Sequence, residues 1–218
     1  MEAGSDATAS ALPDDWADGT FMGRMATADG PSPILLVNGE LYDMARVAPT
    51  TAALADGGDF SGAGGTPLGR FQPGAVRLLS PVDLQCVKAC GVTFAVSAIE
   101  RVIEERARGD WSVASAIRER LESRIGGSIR SVEPGSPEAA SLKQALIEDG
   151  LWSQYLEVAI GPDAEVFTKS PVLSTVGADA EIGVSSDSTW NNPEPEVALL
   201  VDSRGKVIGA TQIGRAHV

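Results

Sequence analysis

The chain has 218 residues, of which 43% are hydrophobic and 22% charged, a composition typical of a globular protein with a buried core. Its formal net charge is −13 at pH 7, and no cluster of Lys and Arg interrupts the acidic background. We therefore expect no nucleic acid and no membrane among its partners. No apolar run approaches the roughly 20 residues that span a bilayer, and the acidic start of the chain differs from a signal peptide. These features predict a cytoplasmic protein.

The N-terminal part of the chain has the pattern of a small β domain. We predict a disordered tail over residues 1–15 and a β-rich domain over residues 16–80. Two strand-like runs flank Asn38 and Gly39, a dipeptide that predicts a tight hairpin because both residues tolerate positive φ. Residues 50–55 predict one helical turn.

A helical segment follows. Residues 93–108 carry apolar side chains at helical spacing opposite a charged face. Ser112 and Ser136 are predicted N-caps of two further helices, and Gly126 and Gly150 are predicted to end them. We interpret these helices as one segment inserted between two β-rich parts.

The last third of the chain returns to strands. Residues 155–160 and 165–168 predict strands on either side of a turn. Residues 196–201 and 206–211 predict a hairpin closed by the turn Asp-Ser-Arg-Gly.

The final six residues, IGRAHV, resemble the translation of a common sequencing-library adapter. We therefore expect residues 213–218 to be a non-native tail. His217, the only histidine, lies in this tail, so we expect no imidazole base or ligand within residues 1–212.

Glu194 and Glu196 are the candidate metal ligands. In an extended chain side chains alternate, so these two carboxylates face the same way with Cα atoms about 6.5 Å apart. Two hard carboxylates on one face could converge on Mg²⁺, Mn²⁺ or Ca²⁺. The alternative interpretation is a solvated acidic loop.

The predicted hairpin favours a metal site. If Val201 pairs with Lys206, Glu196 lies opposite Thr211. Glu194 then lies opposite the position at which the adapter-like tail begins, and a third ligand is expected there.

The run EPEVALLVDSRGKVIGATQ resembles the metal-binding hairpin of the fumarylacetoacetate hydrolase superfamily. The family pattern is ExE, an apolar strand, a turn and then G-x-T, followed by an Asn-Asp pair that supplies a third carboxylate. Glu194, Glu196, Gly209 and Thr211 match the pattern. The third ligand, an Asp, is missing from this chain, and so is a lysine that the family places further downstream.

A second match lies upstream, in GVTFAVSAIE. It is similar to the family segment G-x-N-Y-x-x-H-A-x-E, whose His and Glu activate water. The matching positions are Gly91, Thr93, Phe94, Ser97, Ala98 and Glu100. Ser97 replaces the histidine, which puts hydrolysis by the usual pair in doubt, since a serine alone is no base near neutral pH. Glu100 is the candidate base if burial raises its pKa. The alternative is a solvated glutamate near a capping serine.

The resemblance covers most of residues 16–212 and implies an α+β, mostly β fold. A small N-terminal β domain would precede a helical segment and an incomplete mixed β-sandwich or roll. Residues 81–212 would then be the start of the catalytic domain, and the family implies a homodimer for the complete protein.

The branch that the chain most resembles contains the dehydratases of 2-keto-3-deoxy-pentonates, xylonate and arabinonate derivatives. This resemblance implies a lyase of sugar-acid catabolism with Mg²⁺, or Mn²⁺ or Ca²⁺, as cofactor and a 2-oxo acid as substrate. The ion would be held by Glu194 and Glu196 and would stabilise an enolate. Glu100 would move the C3 proton with Ser97 as a hydrogen-bonding helper. Two alternatives stay open: a C–C hydrolase of fumarylacetoacetate or acylpyruvate type, and an inactive truncated fragment with weak cation binding.

Overall fold

The structure, a computed structural model of the chain, describes residues 12–91, 95–187 and 192–217. In these ranges the fold is mixed α+β, with antiparallel sheets and five α-helices, which confirms the predicted α+β class. The chain divides into two compact units, residues 1–87 with 170–218, and residues 88–169. The predicted domain boundary at residue 80 lies within the first unit, and the assignment of a family-specific fold stays a prediction.

The first unit is built on an antiparallel sheet of five strands. Asn38 and Gly39 form the hairpin turn with φ of 50° and 81°, which confirms the predicted hairpin. The strands are β1 (Thr20–Thr27), β2 (Gly30–Val37), β3 (Glu40–Asp43), β4 (Thr66–Arg70) and β5 (Leu78–Leu79), in the spatial order β4-β3-β2-β1-β5.

Both faces of this sheet are covered. Ile34 and Leu36 of β2 belong to a cluster that includes Phe71, while Leu35 between them belongs to a second cluster that includes Leu54. This alternation follows from the two-residue period of a strand. Leu12 also packs against the first cluster, so the predicted tail includes a packed residue; residues 1–11 lie outside the described ranges.

Helix α1 (Thr51–Gly57) supplies the cover on the second face. The Thr50 hydroxyl accepts a hydrogen bond from the Ala53 N–H and caps the helix, and Gly58 ends it with a left-handed φ of 69°. This helix extends the single turn predicted over residues 50–55. It is the element on which the later β-hairpin of the same unit rests.

The second unit is a small helical bundle with its own core. Its largest fully buried side chains are aliphatic: Ile99, Ile103, Leu121, Ile129, Leu142, Leu146 and Leu156. Its helical elements are α2 (Ala95–Ala107), α3 (Trp111–Ile125), a 3₁₀ turn (Ile129–Ser131), α4 (Pro137–Glu148) and α5 (Gln154–Ile160). The paired strands β6 (Val87–Cys90) and β7 (Val166–Ser170) stand at its two ends, and the outermost residue of each, Val87 and Ser170, is assigned to the first unit.

Two local predictions in this unit are wrong. Residues 155–160 form helix α5 and not a strand, because Leu156, Ala159 and Ile160 recur at helical spacing and are all buried in the bundle. Helix α3 is capped by Asp110 and not by Ser112, since the Asp110 carboxylate accepts hydrogen bonds from two N–H groups of the first turn. The predicted cap at Ser136 is confirmed.

The final hairpin belongs to the first unit. It consists of β8 (Asn192–Val201) and β9 (Val207–His217). Residues 213–217, expected to be a non-native tail, continue β9 and pair with residues 192–196, and their origin stays a prediction. None of the helices in the described ranges has the length and apolar character that crossing a bilayer requires.

Candidate functional site

The register of the β8–β9 hairpin decides what faces the candidate metal ligands. Glu194 lies opposite Arg215, and Glu196 lies opposite Ile213. The predicted pairing of Glu196 with Thr211 is therefore wrong by two residues.

The turn explains the difference. The Asp202 carboxylate accepts hydrogen bonds of 2.9 Å from the N–H groups of Arg204 and Lys206, and the Asp202 N–H donates to the Lys206 carbonyl at 2.9 Å. These bonds draw Lys206 into the loop, so that Val201 pairs with Val207. A bulge beside Leu200 shifts the ladder by one more residue.

The two glutamates are the type of ligand that a divalent cation binds, but the third acidic ligand of the family pattern is not opposite them. Glu194 and Glu196 occupy alternate positions of one strand, hence one face, and carboxylate oxygens suit Mg²⁺ or Mn²⁺. The cross-strand positions on that face hold an arginine and an isoleucine, where the family pattern would need a third acid. Among the described residues, no three His, Cys, Asp or Glu are grouped as a metal site.

Of the two glutamates, Glu196 is the one whose side chain lies in the described part of the structure. Glu196 is exposed to solvent, as a residue that binds a ligand from solution must be. The side chain of Glu194 lies outside the described part of the structure. Metal binding by the pair therefore stays a prediction.

The opposite face of the hairpin is apolar and exposed. Val197, Leu199 and Val201 point away from the glutamate face, and 75%, 62% and 44% of their surfaces are accessible. The hairpin is thus held in place through its turn more than through a packed apolar face.

The candidate base, Glu100, lies on α2 in the second unit and is paired with Arg118 of α3. The Arg118 Nε donates a hydrogen bond of 3.1 Å to one carboxylate oxygen of Glu100, and its Nη2 contacts the other. The hydrogen bonds from Arg118 and the positive charges of Arg118 and Arg130 outweigh partial burial and hold the pKa of Glu100 below its ordinary value. The condition under which Glu100 was expected to act as a base, a pKa raised by burial, is therefore not met.

Ser97 lies on the same helix, three residues before Glu100, and is exposed. Spacing by three residues puts the two side chains on neighbouring positions of one helix face. Thr93 and Phe94, which belong to the same motif, lie outside the described residues. The catalytic roles of Ser97 and Glu100 stay predictions.

The two halves of the predicted site fall in different compact units. Ser97 and Glu100 belong to residues 88–169, and Glu194 and Glu196 to residues 170–218. Sequence reasoning missed Arg118, the partner of Glu100. No sequence signal could have found it, because the pair joins two helices and depends on how they pack.

Two curated proteins share short stretches of sequence with this chain. A 2-dehydro-3-deoxy-D-arabinonate dehydratase of Saccharolobus solfataricus is 47% identical over 47 residues, which are 22% of this chain and 16% of that protein. A probable 2-keto-3-deoxyxylonate dehydratase of Haloferax volcanii is 36% identical over 64 residues, 29% of this chain and 22% of that protein. The chain thus spans only a minor part of the length of the curated relatives it matches. No family model and no solved structure matches it.

Proposed function

We propose that this chain carries part of the active site of a divalent-metal-dependent dehydratase that removes water from a 2-keto-3-deoxy sugar acid. The observation that carries the proposal is the position of Glu194 and Glu196 at alternate residues of β8, on one face of the strand. The names of the two relatives, both dehydratases of such acids, supply the substrate class. Neither is named as a hydrolase, so the two relatives give no support to the C–C hydrolase alternative.

In this proposal Glu194 and Glu196 would hold Mg²⁺, or Mn²⁺ or Ca²⁺, through their carboxylates. The ion would supply Lewis-acid stabilisation of the negative charge that develops on the 2-oxo oxygen of the substrate. Exposure of Glu196 leaves its carboxylate free to meet a ligand from solution. A homodimer and a cytoplasmic location belong to the same proposal.

Glu100 would accept the proton from C3, and loss of the 4-hydroxyl would then complete the removal of one water molecule. Its pairing with Arg118 keeps the carboxylate ionised at neutral pH, as an acceptor must be, and also weakens it as a base. Arg118 would therefore lower the basicity of Glu100 in this role. The hydroxyl of Ser97 would assist Glu100 as a hydrogen-bonding group.

Titration of the full chain with Mn²⁺, followed by electron paramagnetic resonance, tests the metal site. We expect Glu196→Ala and Glu194→Ala each to weaken binding about tenfold or more, since each removes one of two carboxylate ligands. The matched control is Glu181→Ala, which removes an exposed acid of the same unit and should leave binding unchanged. Equal binding by Glu196→Ala and the parent chain would contradict the proposal.

Turnover is the second test. Incubation of the protein with 2-keto-3-deoxy-pentonates should give the dehydrated oxo acid and no pyruvate. Unchanged turnover in Glu196→Ala would sink the assigned role of this residue.

A further inference from the structure

The turn of the β8–β9 hairpin is internally rigid. Asp202 is buried, and its carboxylate binds two N–H groups of the turn and the side chain of Arg204, whose Nε and Nη2 lie 3.0 and 2.6 Å from Oδ2. The Gly205 N–H donates to the Asp202 carbonyl at 3.0 Å, and Gly205 has a φ of 82°, which favours glycine. A turn fixed in this way behaves as one body, so a contact at its tip constrains both strands.

That contact comes from Asp56, at the C-terminal end of α1. The Ser203 N–H donates a hydrogen bond of 2.8 Å to Asp56 Oδ1, and the Arg204 Nη2 donates one of 3.3 Å to the Asp56 carbonyl. Asp56 is separated from these residues by about 150 positions in sequence, so the contact joins distant parts of the first unit. A hydrogen bond to a charged acceptor is stronger than one to a neutral group.

Helix α1 is itself fixed at its other end. Asp83 accepts hydrogen bonds from the N–H groups of Thr51 at 2.7 Å and Ala52 at 3.1 Å, in addition to the cap from Thr50. The helix therefore has a set position against the five-stranded sheet. The contacts of Asp56 with Ser203 and Arg204 then fix the hairpin turn relative to this helix.

The hairpin needs such an attachment. Two strands alone are marginally stable in water, and the apolar face of this hairpin is exposed. Beside the Asp56 contact lies an open pocket of about 290 Å³ lined by Ala55, Gln85 and Val201 among others. The hydrogen bonds from Ser203 and Arg204 to Asp56 join the turn to α1 at this place.

We infer that Asp56 is a positioning residue for the candidate metal ligands. It fixes the hairpin turn on α1 and thereby holds the strand that carries Glu194 and Glu196 in one place. The inference rests on the proposed metal site, to which it adds a dependence on the N-terminal sheet. Asp56 itself contacts no ligand.

The test compares Asp56→Ala, Asp56→Asn and a control in the full chain. The control is Asp59→Ala, which removes one carboxylate hydrogen bond to the nearby Ser61 N–H and none to the hairpin. Hydrogen exchange over residues 200–211 reports the attachment, and Mn²⁺ affinity reports the metal ligands. We expect Asp56→Ala to speed exchange roughly tenfold and to weaken Mn²⁺ binding at least about fivefold. Asp56→Asn keeps an acceptor oxygen for Ser203 and should restore both to within about twofold.

Each outcome decides. Unchanged exchange in Asp56→Ala overturns the anchor, and faster exchange with unchanged Mn²⁺ affinity overturns the positioning role alone. If Asp56→Asn does not restore Mn²⁺ affinity, the positioning role is also overturned. The hydrogen bond that Asp56 accepts from the Ser203 N–H would then not be what maintains the affinity. If the parent chain binds no Mn²⁺, the proposed metal site fails and the positioning role falls with it, while the exchange data still show whether the anchor exists.

Discussion

The guanidinium of Arg118 on α3 contacts both carboxylate oxygens of Glu100 on α2. The two side chains are 29% and 21% exposed, so solvent screens the pair only in part. The pair lowers the pKa of Glu100 and raises that of Arg118. It therefore stabilises the packing of α2 against α3 and sets the charge on the candidate base.

Arg118→Ala should destabilise the protein by about 1–2 kcal/mol at neutral pH, because it leaves a partly buried carboxylate without its partner. The control is Glu105→Ala, which removes the acid of an exposed pair with Arg101 and should have a smaller effect. Urea unfolding monitored by circular dichroism measures both. Equal stabilities of the two variants would contradict this account.

The pH dependence of the same pair has a definite sign. The folded-state pKa of Glu100 lies below its unfolded value, so its contribution is complete above the unfolded pKa. It is lost as the pH falls through the lower, folded value. Unfolding free energies measured from pH 7 down to acid should therefore decline more for the parent chain than for Arg118→Ala.

Ser136 and Ser112 offer a matched comparison of helix caps. The Ser136 hydroxyl accepts a hydrogen bond from the Ala139 N–H, whereas Ser112 lies inside the first turn of a helix that another residue caps. Ser136→Ala should cost about 1 kcal/mol and Ser112→Ala clearly less. Thermal unfolding of both variants checks this. A larger loss for Ser112→Ala would mean that the cap of α3 is assigned to the wrong residue.

The parts of the fold that follow from short-range chemistry could be predicted from sequence. Asn38 and Gly39 specify a hairpin because the turn requires positive φ at both residues, and Ser136 specifies a cap because its hydroxyl reaches an N–H three residues on. The prediction of a strand at residues 155–160 was wrong because a short apolar run is compatible with a buried helix as well as with a strand. Packing against the bundle decides between them.

The candidate site was predictable only as far as its sequence spacing. The alternate positions of Glu194 and Glu196 follow from strand geometry once β8 exists. The residues opposite them do not, since the register depends on the hydrogen bonds of Asp202 and on a bulge. The pKa of Glu100 likewise depends on Arg118, which is 18 positions away on another helix.

We expect the first unit to be destabilised by a side chain at position 177, where the chain has a glycine. A Cβ added there would lie 2.7 Å from the Leu78 carbonyl oxygen and 3.1 Å from backbone atoms of Leu79, so the backbone of β5 would have to move. Gly177→Ala should therefore destabilise the protein by roughly 1–3 kcal/mol. Gly183→Ala is the control, because a Cβ there meets no atom within 4 Å. Equal midpoints of urea unfolding for the two variants would show that the segment does not approach β5 as described.

Asp83 ties the connection after β5 to helix α1, and its removal should be among the costlier changes. Its carboxylate accepts hydrogen bonds from the N–H groups of Thr51 at 2.7 Å, Ala52 at 3.1 Å and Leu84 at 2.6 Å. Asp83→Ala leaves the Thr51 N–H buried without this acceptor, which should cost about 2 kcal/mol or more. Asp29→Ala, at an exposed position in the first hairpin, serves as the control in urea unfolding.

The dependence of the unfolding free energy on pH, measured below pH 7, distinguishes the effect of the charge on Asp83 from the effect of its shape. Burial raises the pKa of this carboxyl, but the hydrogen bonds from Leu84, Thr51 and Ala52 together lower it below the ordinary value. Its contribution is therefore complete above the unfolded-state pKa and disappears as the pH falls through the folded one. Asp83→Asn keeps the shape but cannot titrate, so its unfolding free energy should be lower than that of the parent chain at pH 7 and should approach it in acid. A constant difference between the two proteins across this range would show that the charge on Asp83 does not stabilise the start of α1.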